Sequence, residues 1–320
     1  MALGTTNIGL DSVKTEFGKT TRNTGLSLKD YLNAAIETST DLGFNSTEKR
    51  LNAFSSYDHS GCVFKFDPFQ PAVISKTAVD LYDDTLTYLP AQSDSNIYTE
   101  NYNANSSYIP PSGGDIGYLD ITGTTTPRGI RWSAVSSGTS YKHIPVTLAF
   151  WIKLDTLPSG VTTVVHTNGD DTGTYNYYGV KVLITNTGEV RVLLGDGTGR
   201  GSTDRKTFLG NSGDIGAGTW YFMTIHVNNS GGLDAEATIS AYSDSSKRNA
   251  DVLTRGTSGT ASTVVSESSL HLLIGSDIYD VSPFNLEFGH FYVFDSYIGS
   301  GGAGSVLEDI FASTKEFYTP

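Results

Sequence analysis

The chain predicts an all-β protein built from two packed antiparallel sheets. Two features carry that expectation. From Val146 to Ile298 apolar residues recur at every second position, the spacing of strands with one buried face. Between these runs lie Gly, Asp, Asn and Ser turns, and no helical period takes hold. Composition agrees: 35 Gly and a hydrophobic share of 38% leave much of the chain for turns and loops.

Taken in order, residues 1–57 read differently from the rest. Ser27 is a helix N-cap candidate, with Asp30 as an acidic variant of the capping box. Leu28, Leu32 and Ile36, with Tyr31 and Ala35, form an apolar stripe. The segment is too short to hold a core, so it is expected to dock, as an anchoring or oligomerisation element. Residues 58–320 form the main domain. Val63-Phe-Lys-Phe, Tyr118-Leu-Asp-Ile and Gly129-Ile-Arg-Trp predict its first strands. Between them, Ser93 to Gly114 reads as a polar, tyrosine-bearing loop with Tyr98, Tyr102 and Tyr108. The dense series follows: Val146 to Ile152, Val180 to Ile184, Val190 to Leu194, Tyr221 to Val227 and Ala237 to Ala241. After a Gly-rich link from Gly299, Ser305-Val-Leu-Glu-Asp-Ile-Phe reads as a short closing helix.

Several segments resemble the concanavalin A-like, laminin G-like jelly rolls. These are Val146-Thr-Leu-Ala-Phe-Trp-Ile-Lys running into a Pro/Ser/Gly turn, the hairpin Gly179 to Gly197, Gly218-Thr-Trp-Tyr, Leu272-Leu-Ile-Gly-Ser, and His290-Phe-Tyr-Val-Phe. The resemblance spans roughly residues 60–313 and implies a two-sheet jelly-roll sandwich of lectin type. The first 35 residues resemble the opening of bacteriophage virion proteins, in Gly4-Thr-Thr-Asn-Ile-Gly-Leu-Asp-Ser-Val and Ser27-Leu-Lys-Asp-Tyr-Leu. That implies a chain assembled in a bacterial cytoplasm, held to other virion proteins through residues 1–57, and exposed after release.

The net charge of −13 argues against a nucleic-acid partner, which needs a basic footprint. No apolar run is long enough to span a membrane, and no secretory leader is expected at the N-terminus. Cys62 is the single cysteine, so no internal disulfide forms; it is expected to be a small buried residue.

For chemistry, retaining glycoside hydrolases need two carboxylates about 5 Å apart. On jelly rolls these come from alternating Glu/Asp on one strand; the ten Glu here, including Glu189 and Glu287, begin no such pattern. A Gly-x-Ser-x-Gly elbow is also lacking. His59, His143, His166, His226, His271 and His290 are dispersed, and His226 and His290 read as sheet-face residues. No catalytic residue is therefore nominated. The resemblance makes calcium a candidate ligand at a rim loop, with Asp170 and Asp171 as its carboxylates, Asn168 and Asn176 beside them, and Asp277 and Asp280 in another loop. Tyr175, Tyr177 and Tyr178 in the same loop, and Trp132, are the candidate sugar-stacking rings. The expectation is a homo-oligomeric virion protein, decorating the capsid or forming a tail or neck appendage, whose jelly roll meets host glycans. The alternative is a free carbohydrate-binding lectin, and a less favoured one is a glycan-cleaving enzyme.

Overall fold

The computed structural model describes residues 147–169, 176–229, 232–265, 271–275, 285–294, 297–298 and 305–318, with short strands between residues 62 and 134. In chain order the strands are β1 (Cys62–Phe66), β2 (Ala78–Val79), β3 (Tyr88–Leu89), β4 (Ile97–Asn101), β5 (Ser106–Ile109), β6 (Tyr118–Ile121), β7 (Ile130–Ala134) and β8 (Thr147–Leu154). Then come β9 (Thr162–Gly169), β10 (Tyr178–Ile184), β11 (Val190–Asp196), β12 (Arg205–Leu209), β13 (Tyr221–Asn228), β14 (Asp234–Ala241), β15 (Gly256–Gly259), β16 (His271–Ile274) and β17 (Leu286–Phe294). The chain closes with α1 (Val306–Thr314) and a 3-10 helix, Lys315–Tyr318. Residues 1–57, with Leu28, Leu32 and Ile36, lie outside the described residues.

Apart from β2 and β3, which pair with each other, the strands form two antiparallel sheets, as expected. The front sheet runs β14-β13-β8-β17-β6-β5, with β1 also on β17; the back sheet runs β15-β12-β11-β10-β9-β16-β7-β4. The stretch from Ser93 to Gly114, expected to be a loop, contributes β4 to the back sheet and β5 to the front one. Their polar residues, such as Thr99, Glu100, Ser106 and Ser107, hide the strand period from a hydrophobicity reading.

Between the sheets lies one apolar core. Leu148, Phe150, Ile152 and Leu154 of β8 face Val180, Val182 and Ile184 of β10 and Val190, Val192 and Leu194 of β11. This is the alternation the sequence predicts. The other half of the prediction, a single buried face, does not hold for the front sheet. Trp151, Phe222, Tyr292 and Phe294 point away from the inner core and are buried all the same. They pack under Leu307, Ile310 and Phe311 of α1 and under Phe317 and Tyr318. The C-terminal segment is thus a third layer.

Local chemistry explains why it forms there. The Ser305 side chain accepts from the Glu308 backbone N–H at 3.2 Å and starts the helix. The carboxylate of Glu308 turns to accept from the Lys247 backbone N–H at 2.9 Å, tying α1 to the turn after β14. Buried Leu307, Ile310, Phe311 and Thr314 form the i, i+3, i+4, i+7 stripe. Trp151 anchors the layer: its ring stacks on Tyr318 at 4.5 Å and on Phe311 at 5.7 Å. Its Nε1–H donates to Thr314 Oγ1 at 2.8 Å.

Strand β17 bends to meet this layer. Its register on β8 shifts between Phe288 and Phe291, which are both in the inner core, so one residue is taken up in a bulge. Gly289 sits at that bulge, where a Cβ would lie 2.2 Å from the Tyr318 hydroxyl. That hydroxyl accepts from the His290 backbone N–H at 2.7 Å and lies 2.6 Å from His290 Nδ1.

Replacing Trp151 by Ala should cost about 3–5 kcal/mol, the range for a buried aromatic truncated in a core. Thr314→Val keeps the shape but strands the indole N–H, so it should cost about 1–3 kcal/mol. Urea unfolding of the two variants checks both, and equal, near-zero losses would contradict the third layer.

Candidate functional site

The same period of 2 that fills the core sets a polar row on the outer face of the front sheet. On β13, Met223, Ile225 and Val227 point inward, so Thr224, His226 and Asn228 point outward. On β14, Ala235, Ala237 and Ile239 point inward, so Asp234, Glu236 and Thr238 point outward. The hairpin register sets Thr224 opposite Thr238, His226 opposite Glu236 and Asn228 opposite Asp234. Thr224 and Thr238 close against each other, Oγ1 to Oγ1, at 2.5 Å. Beyond them the outer face opens.

A cleft of about 340 Å³ lies there, lined by His226, Val227, Asn228, Asp234, Ala235, Glu236 and Tyr297. Tyr297, at 58% exposure, is the most open of the exposed large hydrophobic side chains among the described residues. Its ring lies 5.0 Å from the His226 ring at 51°. One side chain holds both: Thr147 Oγ1 accepts from the Ile298 backbone N–H at 3.2 Å and lies 3.2 Å from His226 Nδ1. Strand β8 therefore fixes the segment carrying Tyr297 and the imidazole beneath it.

His226 is 2% exposed, and its Nε2 has no hydrogen-bond partner among the described residues. Burial, and secondarily the nearby Lys247 ammonium, hold its pKa down to about 4. It is neutral at physiological pH. The neutral ring carries one hydrogen, and the Thr147 contact admits either tautomer at Nδ1. Lys247 is itself buried, which lowers its pKa to about 8 against the opposing pull of Glu308.

A second polar cluster lies at the opposite end of the same face. Asp120 stands directly across from Glu287, and Glu287 across from Lys153. Lys153 Nζ donates to Glu287 Oε1 at 2.7 Å and lies 5.9 Å from the Trp220 ring centroid. Burial, followed by repulsion from Asp155, raises the pKa of Asp120; burial also leads the rise at Glu287. This cross-strand pair escaped a search for carboxylates alternating on one strand, because its members are 167 positions apart.

Of the rings nominated from the sequence, Tyr177 and Tyr178 come together at the start of β10 with the β11–β12 loop. Arg205 Nη1 donates to the Tyr177 hydroxyl at 2.6 Å, and its guanidinium carbon lies 4.8 Å from the ring centroid. The Tyr178 ring lies against Gly197, at φ +76°, where a Cβ would sit 2.1 Å from Cε1. The acidic groups of this loop are engaged within it. Asp196 accepts from the Thr198 backbone and side chain, and Asp204 from the Gly201 backbone N–H at 2.6 Å and from Thr203. The Gly201 bond foremost lowers the pKa of Asp204. Trp132 is placed on β7, opposite Leu272. Tyr175, Asp170 and Asp171, with Asp277 and Asp280, lie outside the described residues. No group of three or more His, Cys, Asp or Glu among the described residues forms a metal-binding cluster. Glu189 is a salt-bridge hub, held by Arg191 Nε at 2.9 Å and by Arg255.

Sequence reasoning placed His226 on a sheet face and passed over Asn228, Asp234, Glu236 and Tyr297. Its available signal was the polar half of the alternation on either side of the Asn-Asn-Ser-Gly-Gly turn, residues 228–232.

No family model matches the chain, and no curated protein does. Among solved structures it is similar to the binding domain of botulinum neurotoxin DC in complex with rat synaptotagmin II, at 13% identity and TM-score 0.47, over 79% of this chain and 52% of that one. The same domain in complex with SialylT aligns at 12% identity and TM-score 0.45, over 75% and 49%. A structure of botulinum neurotoxin type C, described by its dependence on two ganglioside molecules for cell entry, aligns at 13% and 0.42, over 70% and 48%. The chain spans about half the length of these chains. With TM-scores below 0.5, the fold assignment rests on the strand pairing itself.

The buried imidazole gives a pH test. The folded pKa of about 4 lies below the unfolded value near 6.5. His226 therefore contributes its full stability above pH 6.5 and loses it as pH falls toward about 4. The loss is at most about 3 kcal/mol, at roughly 1.4 kcal/mol per pH unit. His226→Gln should flatten unfolding free energy against pH in that window, and an unchanged slope would show that another group dominates.

Proposed function

We propose that this chain is a non-catalytic carbohydrate-recognition protein, with the cleft beneath Tyr297 as its sugar site. One observation carries the reading: an exposed aromatic ring borders a cleft that the neutral His226 imidazole also lines, beside an amide and two carboxylates. A pyranose presents an apolar C–H face and a ring of hydroxyls. Tyr297 offers the flat apolar surface. The His226 imidazole offers a polar ring edge, Asn228 both donor and acceptor groups, and Asp234 and Glu236 acceptors. A few convergent polar groups beside an aromatic wall are the common build of small-ligand sites.

The resemblance of the first 35 residues to virion proteins favours a second, compatible layer. In this reading residues 1–57 attach the chain to other virion proteins, with Leu28, Leu32 and Ile36 buried in a homo-oligomeric contact, and the sandwich faces host glycans. A rim calcium at Asp170 and Asp171 belongs to the same expectation.

Screening the full chain on a glycan array, followed by titration calorimetry on the best ligand, tests the site. Tyr297→Ala should weaken binding about tenfold while leaving the fold intact, and Tyr177→Ala should leave affinity unchanged. The reverse pattern would move the site to the Tyr177–Arg205 rim. For the virion layer, mass spectrometry and immunogold labelling of purified particles should find the chain at one site in fixed proportion; its absence from particles would leave the free lectin.

A further inference from the structure

The cleft has a marked asymmetry of charge. Asp234 and Glu236 both line it, and none of the other described lining residues is a Lys or Arg. Both are exposed and sit on the outward set of β14, two residues apart, so their carboxylates border the same side. Lys247, whose charge reaches His226, is buried, does not line the cleft and is opposed by Glu308. Tyr297 adds the negative face of an aromatic ring.

An acidic sugar meets repulsion here from two carboxylates, with no cation among the described lining residues; Lys206 Nζ, which donates to the Leu233 carbonyl at 2.6 Å, is engaged beside Asp234 and does not line the cleft. A neutral sugar fits but leaves the charges unused. A protonated amine next to the ring satisfies both features, donating to the carboxylates and lying against the π face. The His226 imidazole also lines the cleft, so the site addresses an amine and a hydroxyl together.

We infer that the cleft selects glycans bearing a free protonated amine, amino sugars, over neutral sugars and against acidic ones. This rests on the carbohydrate reading above and adds the class of sugar.

The test uses the full chain, titrated calorimetrically at about pH 6, where His226, with its pKa about 4, stays neutral. The probes are a glucosamine tetramer, the N-acetylglucosamine tetramer and a galacturonate tetramer. The amino tetramer should bind about tenfold or more tighter than its acetylated twin, with the advantage shrinking at high salt. The galacturonate should be weakest. Glu236→Gln and Asp234→Asn, both at exposed positions, should bring the two glucosamine forms toward parity, because the amino form loses its charge pairing and falls further than the acetylated one. Equal affinity for both forms, or preference for galacturonate, would overturn this inference while leaving carbohydrate recognition standing. Binding of none of these tetramers, nor of any array glycan, would overturn both.

Discussion

The stacking of the C-terminal segment on Trp151 is the contact on which the rest of the structure depends. A front sheet with apolar side chains on both faces is insoluble as a surface. It becomes stable only when something covers Trp151, Trp220, Phe222, Tyr292 and Phe294. Tyr318 lies 4.5 Å from Trp151 and 4.6 Å from Trp220, and its hydroxyl reaches the bulge at His290. One residue near the chain's end thus meets three separate elements of the sheet. Gly289 is the corresponding constraint on the sheet side, since only a residue without Cβ admits that hydroxyl.

The third layer also determines where a site exists. Where α1 and the 3-10 helix cover the outer face, that face is apolar and closed. Toward the far end of β13 and β14 the side chains turn polar, from Thr224 and Thr238 to His226, Asn228, Asp234 and Glu236. Thr147 couples the two regimes, because the strand that carries Trp151 also holds His226 and the backbone next to Tyr297. The juxtaposition of the His226 imidazole with the carboxylates across from it is therefore a product of strand register rather than of any local motif. Burial works in the same direction, keeping the imidazole neutral.

Much of the sandwich was legible in the chain. Strands β8, β10, β11, β13 and β14 announce themselves by alternating apolar residues, and Ser305 with Glu308 marks the closing helix. Strands built from polar residues did not. The edge strand β15, Gly256–Gly259, has the composition of a turn, and β12 opens with Arg205 and Lys206. Burial of the front sheet's outer face was hidden because its cover lies more than 150 residues from Trp151. Of the site, the outward orientation of His226 was readable, but its pairing with Glu236 needs the hairpin register, and Tyr297 needs the hydrogen bond from Ile298 to Thr147. Tyr177 and Tyr178 attracted attention as clustered rings; the structure shows Arg205 and Gly197 packed against them.

The most direct measurement is a crystal structure of the full chain with a glucosamine tetramer bound. A sugar ring stacked on Tyr297, with an oxygen in hydrogen-bond range of His226 Nε2 and an amine facing Asp234 and Glu236, is the predicted result. A sugar seated against Tyr177 and Arg205, with the outer face of β13 and β14 bare, would contradict it.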